Sequence, residues 1–320
     1  MSASSILSAF MIRDAEMRPL DGVKWRGCDK ESRCELWRVA AAEACGTTLL
    51  VLLSCMPVCA TNAADAAPSS LLQRSLAAGL LVALIVQCFD HVSGAHLNPT
   101  VTLAAALSGR VPTLRAIIMC VSQLVGGVLG AGVLHLLAAP VGRTCVTKPA
   151  SFISIYQALA IETVLGLCLA LANLASWDAR NRHLIDSWPL RIGFIVAALS
   201  LTAGDLTGAS MNPVRSFAPA LLSGEWQALW VYVVGPLCGS CASVALYVCV
   251  WRAPPDAPAR DASPPPRRRA RPSSAPGPLA TATAPHKAHH YLSSPALAIT
   301  AADAPPIAHC PADKHAIDSA

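Results

Sequence analysis

Two Asn-Pro dipeptides, Asn98-Pro99 and Asn212-Pro213, stand 114 positions apart in stretches that echo each other, SGAHLNPTVT at 93–102 and TGASMNPVRS at 207–216. Proline suits the first turn of a helix, where its missing N–H is not needed, and asparagine suits the cap before it. Each dipeptide therefore predicts a helix start. The apolar pieces that contain them, Leu97–Leu107 and Met211–Leu222, are too short to cross a bilayer and read as half-helices. What two such tips offer is hydrogen-bond donation and the positive end of a helix dipole, not covalent chemistry. Two carboxylates repeat as well, Glu43 in AAEACGTTLLVLL and Glu162 in LAIETVLGLCLAL, 119 positions apart. A carboxylate within a membrane span can relay protons. It can also accept the donors of a loop leading into a half-helix, and the matched positions favour that second role. His96, beside the first Asn-Pro, reads as an anchor of its own loop.

These tips need a scaffold, and composition indicates its kind. The 320 residues are 54% hydrophobic, 13% charged and 5% aromatic, with a mean hydropathy of +0.49. That charge deficit argues against a disordered chain and against a water-soluble enzyme. Six apolar stretches lie near 36–58, 71–89, 114–138, 158–175, 189–202 and 228–250, the fifth short by itself and expected to begin near Ser187. The expected fold is an all-α membrane protein of six transmembrane helices plus two half-helices. Gly126 with Gly130, and Gly235 with Gly239, have the spacing that lets helices approach closely in lipid. Two three-span halves, about 36–138 and 156–251, are joined after an odd number of crossings and form an inverted repeat with a site at the bilayer midplane. There the two positive tips face each other. The Asn98 and Asn212 amides donate to a water at the centre, turn both of its hydrogens outward, and so interrupt proton hopping while the tips oppose cations.

Charge sets the orientation. Arg13, Arg18, Lys24, Arg26, Lys30, Arg33 and Arg38 precede or open the first span, and Arg110, Arg115, Arg180, Arg182 and Arg191 fall in connections on that same side. Both termini are therefore expected in the cytoplasm, with Trp37, Trp177, Trp188 and Trp251 along one membrane interface and Trp226 and Trp230 along the other. Residues 1–35 read as a cytoplasmic N-terminal segment without a cleavable signal peptide. Residues 252–320 hold fourteen of the 25 prolines, with eight Arg/Lys against five Asp, and read as a disordered cytoplasmic tail. Its PPPRRRARPSS run is either a topogenic stop or an anionic-lipid contact switched by phosphorylation at Ser273 or Ser274. The thirteen cysteines lie mostly in apolar runs (Cys45, Cys55, Cys88 and Cys120 among them) and read as small buried hydrophobes, not metal ligands.

With its paired Asn-Pro motifs, its SGAHLNP and an Arg three residues after the second Asn (Asn212, Arg215), the chain resembles the aquaporins of the major intrinsic protein family over about residues 36–251. The resemblance implies a right-handed six-helix bundle, a homotetramer with one pore per subunit in the plasma membrane, and an outer constriction containing Arg215. It departs from the family pattern in the third residue of each motif, where the usual Ala is Thr100 and Val214; slightly altered packing is expected. It assigns the constriction to Ala78, Ser200, Ala209 and Arg215. Water-strict aquaporins typically carry Phe and His at the first two of these positions. The small residues imply a wider ring that admits glycerol or urea beside water, as in the similar insect glycerol-transporting branch. Bacterial-type glycerol facilitators differ, carrying Asp where this chain has Ser216; Ser216 and Ala220 are water-channel features. Mercury-sensitive relatives carry Cys at the position of Ala209, so weak mercurial inhibition is expected.

The alternatives are a pore for water alone, a non-conducting junctional or regulatory membrane protein, and a gradient-coupled transporter, which also uses inverted repeats. No enzyme is expected: the sequence carries no nucleophile–base set, phosphate loop or metal constellation, and His286, His289 and His290 are a weak metal signal. No cofactor and no nucleic-acid partner are expected; the partners are water, small uncharged solutes and the lipid bilayer.

Overall fold

Helices begin where a side chain can satisfy their first free N–H groups, and several starts here show it. A computed structural model of the chain describes residues 30–60, 69–137, 145–178, 180–181, 184 and 187–251. The helices are α1 (Lys30–Ala60), α2 (Leu71–Ser93), α3 (Pro99–Leu107), α4 (Thr113–Leu137), α5 (Ile155–Trp177), α6 (Trp188–Thr207), α7 (Pro213–Ser223) and α8 (Leu229–Leu246), the last continued by a π-helical turn, Tyr247–Trp251. Ser70 caps α2, and Ser154 with Gln157 forms a capping box on α5. Asn98 and Asn212 cap α3 and α7, each followed by Pro. Among the described residues, six helices of 20 to 25 residues (in α1, α2, α4, α5, α6 and α8) are long and apolar enough to cross a membrane. α2, α5 and α6 extend beyond the expected stretches; α6, whose apolar stretch is the shortest in sequence, runs Trp188–Thr207. The protein is an all-helical membrane protein.

Packing displays the repeat. α1 lies against α4 as α5 lies against α8, and α2 pairs with α6 across the halves. α3 touches α8, α4 and α5; its counterpart α7 touches α4, α8 and α1. Between α1 and α4 a Cβ on Gly126 or Gly130 would collide with the carbonyl of Ala44 or Thr48. Between α5 and α8 the corresponding obstacles are the Glu162 Cβ for Gly235 and the Thr163 carbonyl for Gly239. Without a hydrophobic force between helices in lipid, this close approach supplies the dispersion contacts that hold them together.

Three findings lie beyond the expectations. The cysteines are not uniformly small buried hydrophobes: Cys55 of α1 is bonded to Cys145, with Cα atoms 5.5 Å apart, and Cys45, Cys88, Cys238 and Cys249 are exposed on the single chain. Trp177 does not point only at lipid, since its ring packs 5.6 Å from that of His96 and under the Arg110 guanidinium at 5.0 Å. After α5, Asp178 accepts Arg180 Nε at 2.8 Å, Arg180 Nη2 at 2.7 Å and the Tyr247 hydroxyl at 2.6 Å. These bonds tie the end of α5 to the end of α8, and the Arg180 partner holds the Asp178 carboxyl well below the usual carboxylate range. Ser273, Ser274 and the remainder of 252–320 lie outside the described residues.

Candidate pore

The two loops before the half-helices have the same build. Each carries two non-glycine residues in the left-handed region at matched positions, Ala95 and Leu97 (φ 42° and 54°), and Ala209 and Met211 (φ 45° and 56°). That conformation costs ~1 kcal/mol or more per residue and persists only where its surroundings hold it. The buried carboxylates supply the hold. Glu43 accepts the Ser93 hydroxyl at 2.6 Å and the His96 N–H at 2.9 Å on Oε1, and the Leu97 N–H at 2.7 Å on Oε2. Glu162 accepts the Thr207 hydroxyl at 2.7 Å and the Ser210 N–H at 3.0 Å on Oε1, and the Met211 N–H at 2.9 Å on Oε2. Both side chains are fully buried. Each carboxylate accepts three donors from the loop it holds, the arrangement of a structural acceptor.

The tips interlock. Asn98 Oδ1 accepts the Thr100 N–H at 2.9 Å, while its Nδ2 donates to the Met211 carbonyl at 2.9 Å. Asn212 Oδ1 accepts the N–H groups of Val214 and Arg215, and its Nδ2 donates to the Leu97 carbonyl at 2.9 Å. Each asparagine thus caps its own helix and grips the opposite loop. One hydrogen of each amide is so engaged, and both residues border an inner cavity of about 110 Å³. The second hydrogen of each amide is the donor available to a molecule in that cavity. His96 borders the cavity too, with Nδ1 3.2 Å from the Thr102 hydroxyl.

Ala78, Ser200, Ala209 and Arg215 border both this cavity and an outer one of about 330 Å³, so the two meet beside these four side chains. Three of the four are small. Arg215 is drawn to one wall, its Nη1 donating to the Cys145 carbonyl at 3.0 Å. Thr100 and Val214, the departures from the family pattern, are buried; Val214 occupies the space that a Cβ on Gly127 would need.

Several supporting groups were not legible as site residues. Gln123 donates from Nε2 to Glu43 at 2.7 Å and to the Thr102 hydroxyl at 2.9 Å. Tyr232 donates to the Thr207 carbonyl at 2.7 Å. Thr147 donates to Ser216, and Ser54 borders both cavities. The matched hydroxyls Ser93 with Thr207 and Thr102 with Ser216 do carry a signal, since they occupy equal places in the two echoing stretches.

Comparison with known proteins adds kinship to geometry. The family model described as major intrinsic protein matches residues 30–247. Aquaporin-4 of Mus musculus is 35% identical over 218 residues, covering 67% of this chain and 68% of that protein. Aquaporin-1 of Sus scrofa is 37% identical over 220 residues, covering 66% and 81%, and Aquaporin-2 of Bos taurus 39% over 212 residues, covering 66% and 77%. Among solved structures, the X-ray structure of the aquaglyceroporin from Plasmodium falciparum superposes with a TM-score of 0.61, covering 67% of this chain and 96% of that one at 23% identity. At that identity the likeness is one of fold.

Proposed function

The chain belongs to the major intrinsic protein family, whose members are channels and not enzymes, and on that premise we propose a passive pore for water that also admits glycerol and urea. The observation that carries the wider selectivity is the meeting of the two cavities beside Ala78, Ser200 and Ala209, none of them large, with Arg215 against one wall. A solute hydroxyl or carbonyl there finds the guanidinium's donors on one side and space on the other. Deeper in, the free amide hydrogens of Asn98 and Asn212 orient a passing water so that it cannot relay a proton, and the two helix ends disfavour cations. Glu43, Glu162 and His96 act as supports of the loops and not as carriers.

The pore works as one subunit of a homotetramer in the plasma membrane, with both termini cytoplasmic, residues 36–251 forming the channel and 252–320 a cytoplasmic tail open to phosphorylation at Ser273 or Ser274. The cystine supports that orientation independently of the basic residues. Cys55 lies near the end of α1 away from the N-terminus, so a cytoplasmic N-terminus puts the bond on the outer, oxidising side, where disulfides persist.

Stopped-flow swelling of proteoliposomes in water, glycerol and urea gradients tests the reading. Ser200→His with Ala78→Phe is expected to cut glycerol flux about tenfold or more while water flux persists, because a ring and an imidazole fill the space. Glycerol flux unchanged by the double replacement would show that the constriction lies elsewhere. Water flux without any glycerol or urea flux in the native chain would leave a water-selective pore.

A further inference from the structure

The arginine of the constriction is held by an acceptor that is itself tethered. Arg215 Nη1 donates to the backbone carbonyl of Cys145, and the Cys145 sulfur is bonded to Cys55, 90 positions earlier in α1. Both cysteines are buried, and Cys145 borders the outer cavity. Further along the chain this segment makes other bonds: Thr147 donates to Ser216, Lys148 pairs with Glu225, and the Ala150 N–H donates to the Leu206 carbonyl. They fasten the segment to α7 and α6, whereas the cystine ties residue 145 covalently to α1, within an apolar cluster that also holds Val51, Ala131, Leu134 and Ala218. Ala78, Ser200 and Ala209 border the same two cavities as Arg215, and their small side chains leave the guanidinium room to swing if its wall acceptor moves.

We propose that the Cys55–Cys145 disulfide is a specificity-determining element of the pore. It keeps the Cys145 carbonyl where that carbonyl holds the Arg215 guanidinium against the wall. Without the bond the guanidinium crosses the opening and excludes the larger solutes first, so the wide ring implied by the small residues exists only in the oxidised channel. This rests on the reading of the pore as one that passes solutes beside water.

The test uses the full chain in proteoliposomes and a membrane-impermeant phosphine added outside. The phosphine gives two electrons to the S–S bond, and water supplies two protons to the sulfurs and the oxygen of the phosphine oxide. The ratio of glycerol to water permeability is expected to fall about fivefold, the factor for one lost net hydrogen bond, and to recover on reoxidation. Cys55→Ser is expected to show the low ratio without reductant. In Arg215→Ala, reduction is expected to change nothing, because the group that the bond positions is gone. An unchanged ratio on reduction of the native chain overturns the proposal, and so does an equal change in Arg215→Ala, which would mean that the bond acts by another route. Reversible reduction of the folded native protein keeps the test decisive even where Cys55→Ser fails to fold. Were the oxidised channel to pass water and no glycerol, the relaxed constriction would fail as a reading. The tether would then be judged on water permeability alone, by the same comparison between native chain and Arg215→Ala.

Discussion

Each of the two buried glutamates satisfies a loop whose backbone would otherwise be left unpaired in a strained conformation. Replacing Glu162 by Gln keeps the shape but turns one acceptor into a donor facing the N–H of Ser210 or Met211. The expected loss is ~2 kcal/mol, that of a buried donor left without its acceptor, seen as a lower thermal midpoint in detergent together with reduced water flux per channel. A proton relay would instead leave stability unchanged and alter proton leak. These glutamates were legible because they recur in equal places with equal chemistry, as do Asn98 with Asn212 and Ser93 with Thr207. Gln123 and Tyr232 escaped notice for the opposite reason. They stand in the same register as the Gly126 and Gly235 pair, yet one is an amide that reaches Glu43 and the other a phenol that reaches the Thr207 carbonyl. A shared place filled by unlike side chains leaves no echo to detect.

Contacts between elements depend on what glycine leaves open. Val214 of α7 fills the hollow above Gly127 of α4, so the larger third residue of the second motif is matched by the smallest residue opposite it. Gly127→Ala is expected to cost ~1–3 kcal/mol by overpacking and to lower the thermal midpoint. Adding Val214→Ala is expected to restore most of the loss, whereas independent sites would simply add. The six spans and both half-helices were readable from run length and from the Asn-Pro starts. Their pairing was only partly so, because glycine spacing names a surface for close approach but not the helix that uses it. The Cys55–Cys145 bond was not readable at all: thirteen cysteines allow many pairings, and only the fold brings these two within bonding distance.

For the whole molecule, the Asp178 cluster closes the end of the bundle where α5 and α8 finish, and its charge gives stability a pH signature. The Asp178 carboxyl is depressed by Arg180, by the Tyr247 hydroxyl and by the Arg180 N–H, so its contribution is fully present above the unfolded value of about 3.9 and is lost as pH falls through the lower folded value. Asp178→Asn is therefore expected to lower the thermal midpoint at pH 7, with the gap to the native chain narrowing steadily below pH ~4. A gap that stayed constant down to pH ~2 would mean that the carboxylate charge contributes nothing. The interlocked asparagines have a different reach, one that concerns time. The Asn98 amide binds a carbonyl 113 positions later in the chain, and the Leu97 carbonyl waits for an amide 115 positions later. A ribosome delivering this polypeptide therefore makes the first tip more than a hundred residues before its mate, and the clasp closes only once the later half has been made.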